Sequence, residues 1–279
     1  MYTAIAVPLD GSALAERGLV SAEIVARATG ATLYLVSVLD GLPDPHLSLL
    51  SPSFLMKEIT AQRQDRDAYL RRHVQRLADR GIAARSELLD STGGICGTIL
   101  AFEQRANIDL TILATHGRSG LTRWSLGSVA ERLVQHGRVP VLLVRVQPRD
   151  TSTAQAVVPL DGSKAAEAAL PAMMDLGASL IQTVVLLQII DQPQRRAAAM
   201  AYLNGVADRL TATGLHCICQ VEEGDPAEEI LKIGDTSRVI VMTTHGHPEI
   251  LGRSLGIVAG RVVHRSAAPV LLVRVREDS

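Results

Sequence analysis

The chain contains itself twice. Pro8, Leu9, Asp10, Gly11 and Ser12 return in the same order as Pro159, Leu160, Asp161, Gly162 and Ser163, an offset of 151. Further on, Thr115-His116-Gly117 returns as Thr244-His245-Gly246, and the run from Pro140 to Arg145 returns from Pro269 to Arg274, both at an offset of 129. Self-similarity on this scale confines the fold to two like units. The falling offset places the loss in the middle of the second copy, where the first carries a long polar segment over residues 41–80. A boundary near Asp150, within polar residues 147–153, divides the chain into domains 1–150 and 151–279. A length of 279 residues suits two domains of the usual size, about 100–200 residues each.

Within each copy the hydrophobic period switches repeatedly. Short apolar, β-branched runs at residues 33–39, 110–114 and 141–146 stand between stretches of helical spacing such as Val129, Leu133 and Val134. Five strands are expected near residues 3–8, 31–39, 84–90, 109–114 and 140–146, with counterparts in the second half. Strands alternating with helices imply right-handed crossovers and a parallel sheet covered on both faces. The fold class is α/β, as two tandem five-stranded Rossmann-like domains.

Charge and cysteine usage narrow the function. With 28 basic against 29 acidic residues, nothing favours nucleic acid or an anionic membrane as partner. No apolar run reaches the roughly 18 residues of a spanning helix, three cysteines make no disulfide framework, and the N-terminal stretch meets Asp10 before a signal-peptide core forms. The chain therefore reads as cytoplasmic. His216-Cys217-Ile218-Cys219 sets two thiols on one strand face without a second ligand cluster, so buried thiols outweigh zinc. Cys96, near a helix start, is an inert buried thiol or a mildly acidic one.

In parallel sheets ligands gather at the carboxyl ends of strands, where the strand order reverses. Asp10, Val38, Asp40 and the segment from Ala114 to Gly117 belong on that rim, and Gly127 and Ser128 open the last helix of the first copy. Glycines let a backbone approach phosphate, and the N–H groups of a helix start favour an anion by about 0.3–1 kcal/mol. The same glycines also serve chain turning and helix packing. Asp10 and Asp161 suit helix N-caps, Ser128 either caps its helix or meets an anion, and Trp124 suits packing. His116 reads better as a backbone-bonding loop residue than as a base, and Arg118 as either a phosphate-facing cation or a solvated one. The run Gly117 to Leu121 misses the hydrolase elbow because Leu121 stands where glycine is required. Neither a P-loop nor a dinucleotide glycine motif follows the first strand.

The ordered set resembles the universal stress protein family over nearly the whole chain, twice: Pro8-Leu9-Asp10-Gly11-Ser12, then Thr115-His116-Gly117, nine residues, Gly127-Ser128-Val129, and finally Pro140 to Val144. That resemblance implies ATP as ligand, with Mg²⁺ allowed beside it. It puts Pro8, Leu9 and Asp10 near the ribose and phosphates, Val38 against the adenine through its main chain, and Gly117, Arg118, Gly127, Ser128 and Val129 around the phosphates. Ala114 replaces the first glycine of the family's pattern and adds a methyl near the phosphate path. The second copy departs further, with Thr243 at the first glycine, Gly246 and Gly256 retained, Ile257 in place of the hydroxyl, and His247-Pro248-Glu249 in the loop. One competent site per chain is expected, in the first domain. The terminal strands of the two halves are expected to pair as an intramolecular pseudo-dimer, with room for a homodimer beyond it. The resulting expectation is an ATP-binding regulatory module of a stress response that is not an enzyme beyond slow hydrolysis. Its rivals are a nucleotide-free interaction scaffold and a slow ATP hydrolase.

Overall fold

The computed structural model describes residues 1–40, 52–91, 93–115, 126–145, 153–244 and 255–275. The first copy runs β1 (Ala4–Pro8), α1 (Ala13–Thr29), β2 (Thr32–Leu39), α2 (Pro52–Ala78), β3 (Ala84–Asp90), α3 (Gly94–Arg105), β4 (Leu110–Thr115), α4 (Ser128–His136) and β5 (Val141–Arg145). The second runs β6 (Gln155–Pro159), α5 (Lys164–Glu167), α6 (Ala169–Met174), β7 (Thr183–Ile190), α7 (Arg196–Thr211), β8 (His216–Glu223), α8 (Pro226–Gly234), β9 (Val239–Thr243), α9 (Ile257–Arg265) and β10 (Val270–Val273). The strands expected from the first copy's hydrophobic runs thus form within a residue or so of their expected bounds. The helix expected between the second and third strands is α2, 27 residues long, against 16 for α7.

Among the described residues, ten strands join one sheet in the order β3-β2-β1-β4-β5-β10-β9-β6-β7-β8. Neighbours are parallel except at the centre, where β5 and β10 pair antiparallel with Leu142 opposite Leu271. Each half is a doubly wound unit, and the two face each other across that seam as a pseudo-dimer. Central strands read as continuous apolar runs because helices cover both faces: β9, Val-Ile-Val-Met-Thr, is buried at every position.

The seam also merges the interiors. On one face a single cluster of buried side chains runs from Ile5, Leu19 and Leu33 through Leu142 and Leu271 to Met173 and Leu186. On the other, Ile99, Leu133 and Val141 join Ile240 and Val262. Polar links cross as well: the buried Tyr2 hydroxyl donates to the Ala172 carbonyl at 3.0 Å. The Arg145 guanidinium, at the end of β5, donates to the His264 and Arg265 carbonyls, where a cation complements the negative end of α9.

The copies differ where their sequences do. α1 is one helix of 17 residues, whereas its counterpart breaks into α5 and α6. Pro171 explains the break, since it has no N–H for the Glu167 carbonyl four residues earlier, and α5 ends at Glu167. Ser12 and Ser163, rather than the aspartates two residues before them, cap these helices: their hydroxyls accept from the Ala15 and Ala166 N–H groups, each at 3.1 Å. Asp10 and Asp161 instead accept from the Ser12 and Ser163 N–H groups at 2.9 Å, fixing the turn before each helix.

One buried carboxyl makes stability pH-dependent. Glu103 on α3 is 3% exposed and accepts from the Thr111 hydroxyl of β4 at 2.6 Å. Burial raises its pKa, opposed in part by that hydrogen bond. The folded protein therefore holds this proton more tightly than the unfolded chain, so the group's contribution is fullest at low pH and falls as pH rises through the ordinary carboxylate range toward the folded pKa. Glu103→Gln is expected to be more stable than the parent at pH 7, with the gap closing near pH 4. Urea melts at both pH values would contradict this if the parent gained on the variant as pH rose.

Candidate functional site

The site follows from the winding. β1 lies between β2 and β4, so the chain moves outward to one side and then returns to the other, leaving a crevice at the carboxyl ends of β1 and β4. A cavity of about 270 Å³ occupies that crevice. Its lining includes Pro8, Leu9, Asp10, Val38, Ala114, Gly127, Ser128 and Val129. The structure thus brings together these eight sequence-selected residues, from three strands and the start of α4. Gly117 and Arg118 lie outside the described residues, as do His116, Trp124 and the second-copy loop with Gly246. Asp40 is exposed at the end of the second strand and is not part of the lining.

One wall is apolar. Val36, Leu113, Ile95, Ile99 and Leu126 surround Val38, while Ser12, Leu14 and Ala15 add the first turn of α1. Sequence reasoning missed most of this wall, although signals existed. Val36 shares the face of Val38 two residues on, and Ile95 and Ile99 sit one helical turn apart at the start of α3. Ile95 stays 36% exposed, unusual for isoleucine beside a core. Cys96, beside it, is buried, and burial pushes its thiol pKa up, so it is not an acidic thiol. Cys217 and Cys219 on β8 are partly buried against the core, and burial raises both of their pKa values too. Among the described residues no three His, Cys, Asp or Glu side chains converge to hold a metal.

Other lining residues are polar and suited to an anion. Gly127 caps α4 without a side chain, and Ser128 is the first residue of that helix, whose opening N–H groups are of the kind that suits an anion. Gly127 holds φ of 89°, a left-handed conformation that a side chain would strain. Asp10 is exposed at the rim; burial of part of its carboxyl raises its pKa, but the hydrogen bonds from Ser12 and the nearby Arg66 guanidinium outweigh this and hold it low. Asp10 is therefore ionised at neutral pH.

Ala114 also touches the first helix. Its methyl lies 3.9 Å from where a side chain on Gly18 would begin, and that same position is 3.4 Å from the Ala114 nitrogen. α1 therefore packs closely on the β4 backbone at Gly18, and Ala114 still lines the cavity.

In the second copy Asp161 and Ser163 repeat the turn, with Ser163 also donating to Asp161 at 2.6 Å. The last helix begins differently. Gly256 has φ of −51°, on the opposite side from Gly127, and Ile257 projects from the start of α9 with 84% exposure. The hydroxyl is missing, and the backbone enters the helix along another path.

Fold and site together define a tandem, doubly wound α/β protein with a cavity at the switch point of its first copy. The sequence pattern of the universal stress protein family matches residues 1–145 and 154–274, and the chain belongs to that family. A universal stress protein of Methanocaldococcus jannaschii is 30% identical over 146 residues, covering 52% of this chain and 83% of the relative. One from Mycobacterium tuberculosis is 26% identical over 193 residues, covering 61% of this chain and 60% of the relative, less than two thirds of its length. Among solved structures, a universal stress protein from Archaeoglobus fulgidus has the same fold, with a TM-score of 0.73 at 19% identity over 97% of this chain and 98% of that one. Among the described residues no helix is long and apolar enough to cross a membrane.

Proposed function

We propose that the first copy, residues 1–150, binds ATP and that the chain is a nucleotide-dependent regulatory module of a cytoplasmic stress response rather than an enzyme. The observation that carries this is the joining of an apolar slot at Val36 and Val38 to an uncapped helix start at Ser128 in one cavity. Such a cavity has places for a flat, apolar base and for an anionic tail. In this reading Val38 meets the adenine through its main chain, Asp10 accepts from ribose hydroxyls, and Gly127, Ser128 and Val129 hold phosphate, with Gly117 and Arg118 completing the cradle. Mg²⁺ would neutralise the phosphates alongside these residues. The second copy, residues 151–279, serves as the architectural partner, and a homodimer would build on this paired unit.

The test is to purify the protein without added nucleotide, denature it and quantify released small molecules by mass spectrometry. About one ATP per chain is expected. If the protein emerges empty, MgATP at about a hundred times its dissociation constant should stabilise it by roughly 2.7 kcal/mol and raise the melting temperature by several degrees. No released nucleotide and no shift would overturn the reading in favour of a scaffold that works without nucleotide.

A further inference from the structure

The cavity carries a carboxylate, and the long helix α2 places a cation over the turn beside it. Asp10 lines the cavity and is held in place by the Ser12 N–H at 2.9 Å. An ionised carboxylate accepts well from sugar hydroxyls but repels each phosphate charge that follows. Over the adjacent Gly11, whose φ is 85°, the Arg66 guanidinium comes so close that Nη1 would lie 2.8 Å from a Cβ at that position. Gly11 therefore admits the cation as well as the turn.

Neighbouring contacts keep Arg66 there. On one side Arg63 makes a bidentate pair with Asp90 at 2.8 and 2.9 Å. On the other, His73 meets Glu16 at 3.4 Å, and Arg76 and Arg80 reach Glu23 on α1 at 3.6 and 2.8 Å. α2 is thus anchored on both sides of the residue that covers the Asp10 turn.

Comparison of the copies isolates the feature. Leu33 pairs with Ala84 in the first copy, and its counterpart Val184 pairs with Cys217 in the second. Carried back along the preceding helices, this register matches Tyr69 with Tyr202, whose hydroxyl donates to Glu167, the counterpart of Glu16, at 3.0 Å. In the same register Arg66 corresponds to Ala199, a buried methyl. The place over Gly162 is approached instead by the neutral amide of Gln188, at 3.8 Å, where the first copy has Ser37. Among the described residues, a cation stands over this turn in the copy that has Ser128 and not over its counterpart at Gly162.

We infer that Arg66 is a positioning residue that makes the first-copy cavity selective for nucleoside polyphosphates over nucleosides, by offsetting the charge of Asp10 at the entry to the phosphate cradle. The inference rests on the adenine-nucleotide reading of this cavity. A residue that only packed α2 would affect adenosine and ATP alike, whereas a charge-offsetting one acts in proportion to phosphate charge.

Calorimetric titrations of adenosine, ADP and ATP into the full-length parent, Arg66→Ala, Arg66→Lys and the Asp10→Asn/Arg66→Ala pair test this. Arg66→Ala should weaken ATP by about tenfold, ADP by less and adenosine by under about twofold. Lysine should recover most of the ATP loss, and Asp10→Asn should remove the dependence on phosphate number. Ligand-free melting temperatures within a few degrees of the parent would show that the variants fold. Equal losses for adenosine and ATP, or no loss, would overturn the role of Arg66 while leaving the site intact. A parent that binds none of the three would instead overturn the site itself, and the inference with it.

Discussion

Leu271→Asp is expected to unfold both copies together. Leu271 is fully buried on β10 and Leu142, its partner across the antiparallel seam, is 4% exposed. Removing such a side chain alone costs about 2–5 kcal/mol, and a carboxylate in its place adds the cost of burying a charge or of protonating it. Against a typical total stability of about 5–15 kcal/mol, little would remain. The cluster of buried residues holding Leu271 runs without interruption into both halves, so the loss falls on both. Urea melts followed by circular dichroism should show Leu271→Ala as a single transition at lower denaturant and Leu271→Asp without a folded baseline at 25 °C. Survival of half the signal with an unchanged midpoint would show that the first copy stands without the second.

Ser128→Ile is expected to lower ATP affinity by about a hundredfold, while Ile257→Ser leaves the ratio at one nucleotide per chain. A hydrogen bond to a charged partner contributes about 1.5–3 kcal/mol, roughly ten- to a hundredfold in affinity, and isoleucine bulk at the first residue of α4 adds to the loss. The reverse exchange restores a hydroxyl but not the path of the backbone. Gly127 enters its helix at φ of 89° and Gly256 at −51°, so a serine at 257 would stand on a differently built helix start. Equilibrium dialysis with labelled ATP measures both variants. A parent ratio near two, or a second equivalent gained by Ile257→Ser, would show that the second copy keeps a working site.

Sequence legibility followed the range of the interactions involved. The strands were readable because their cause is local: a parallel strand covered on both faces must be apolar throughout, and runs such as Leu110 to Ala114 have few other uses. The rim was readable because strand ends and the Gly127-Ser128 pair are sequence features, and the switch-point rule converts them into one place. Side-chain choices two residues apart were not. Both Asp10 and Ser12 favour capping, and only the geometry shows that the serine caps while the aspartate fixes the turn. The division of α5 from α6 was legible in Pro171, but the Ala-rich surroundings concealed it. Arg66 lay beyond reach, because its placement over Gly11 depends on how a distant helix docks. The close packing of Gly18 on Ala114 was equally out of reach, because nearly a hundred residues separate them.

The β5–β10 seam has an evolutionary consequence. Its two sides are tethered in one polypeptide, so each meets the other at the roughly millimolar effective concentration of a short linkage and dilution does not separate them. Two identical subunits joined at such a seam would receive every mutation in duplicate. Here each side can change alone, and Ile257, Pro171 and Ala199 stand in one half where Ser128, Val20 and Arg66 stand in the other. Fusion turns a symmetric pair into two separately heritable surfaces, each free to change without altering the other.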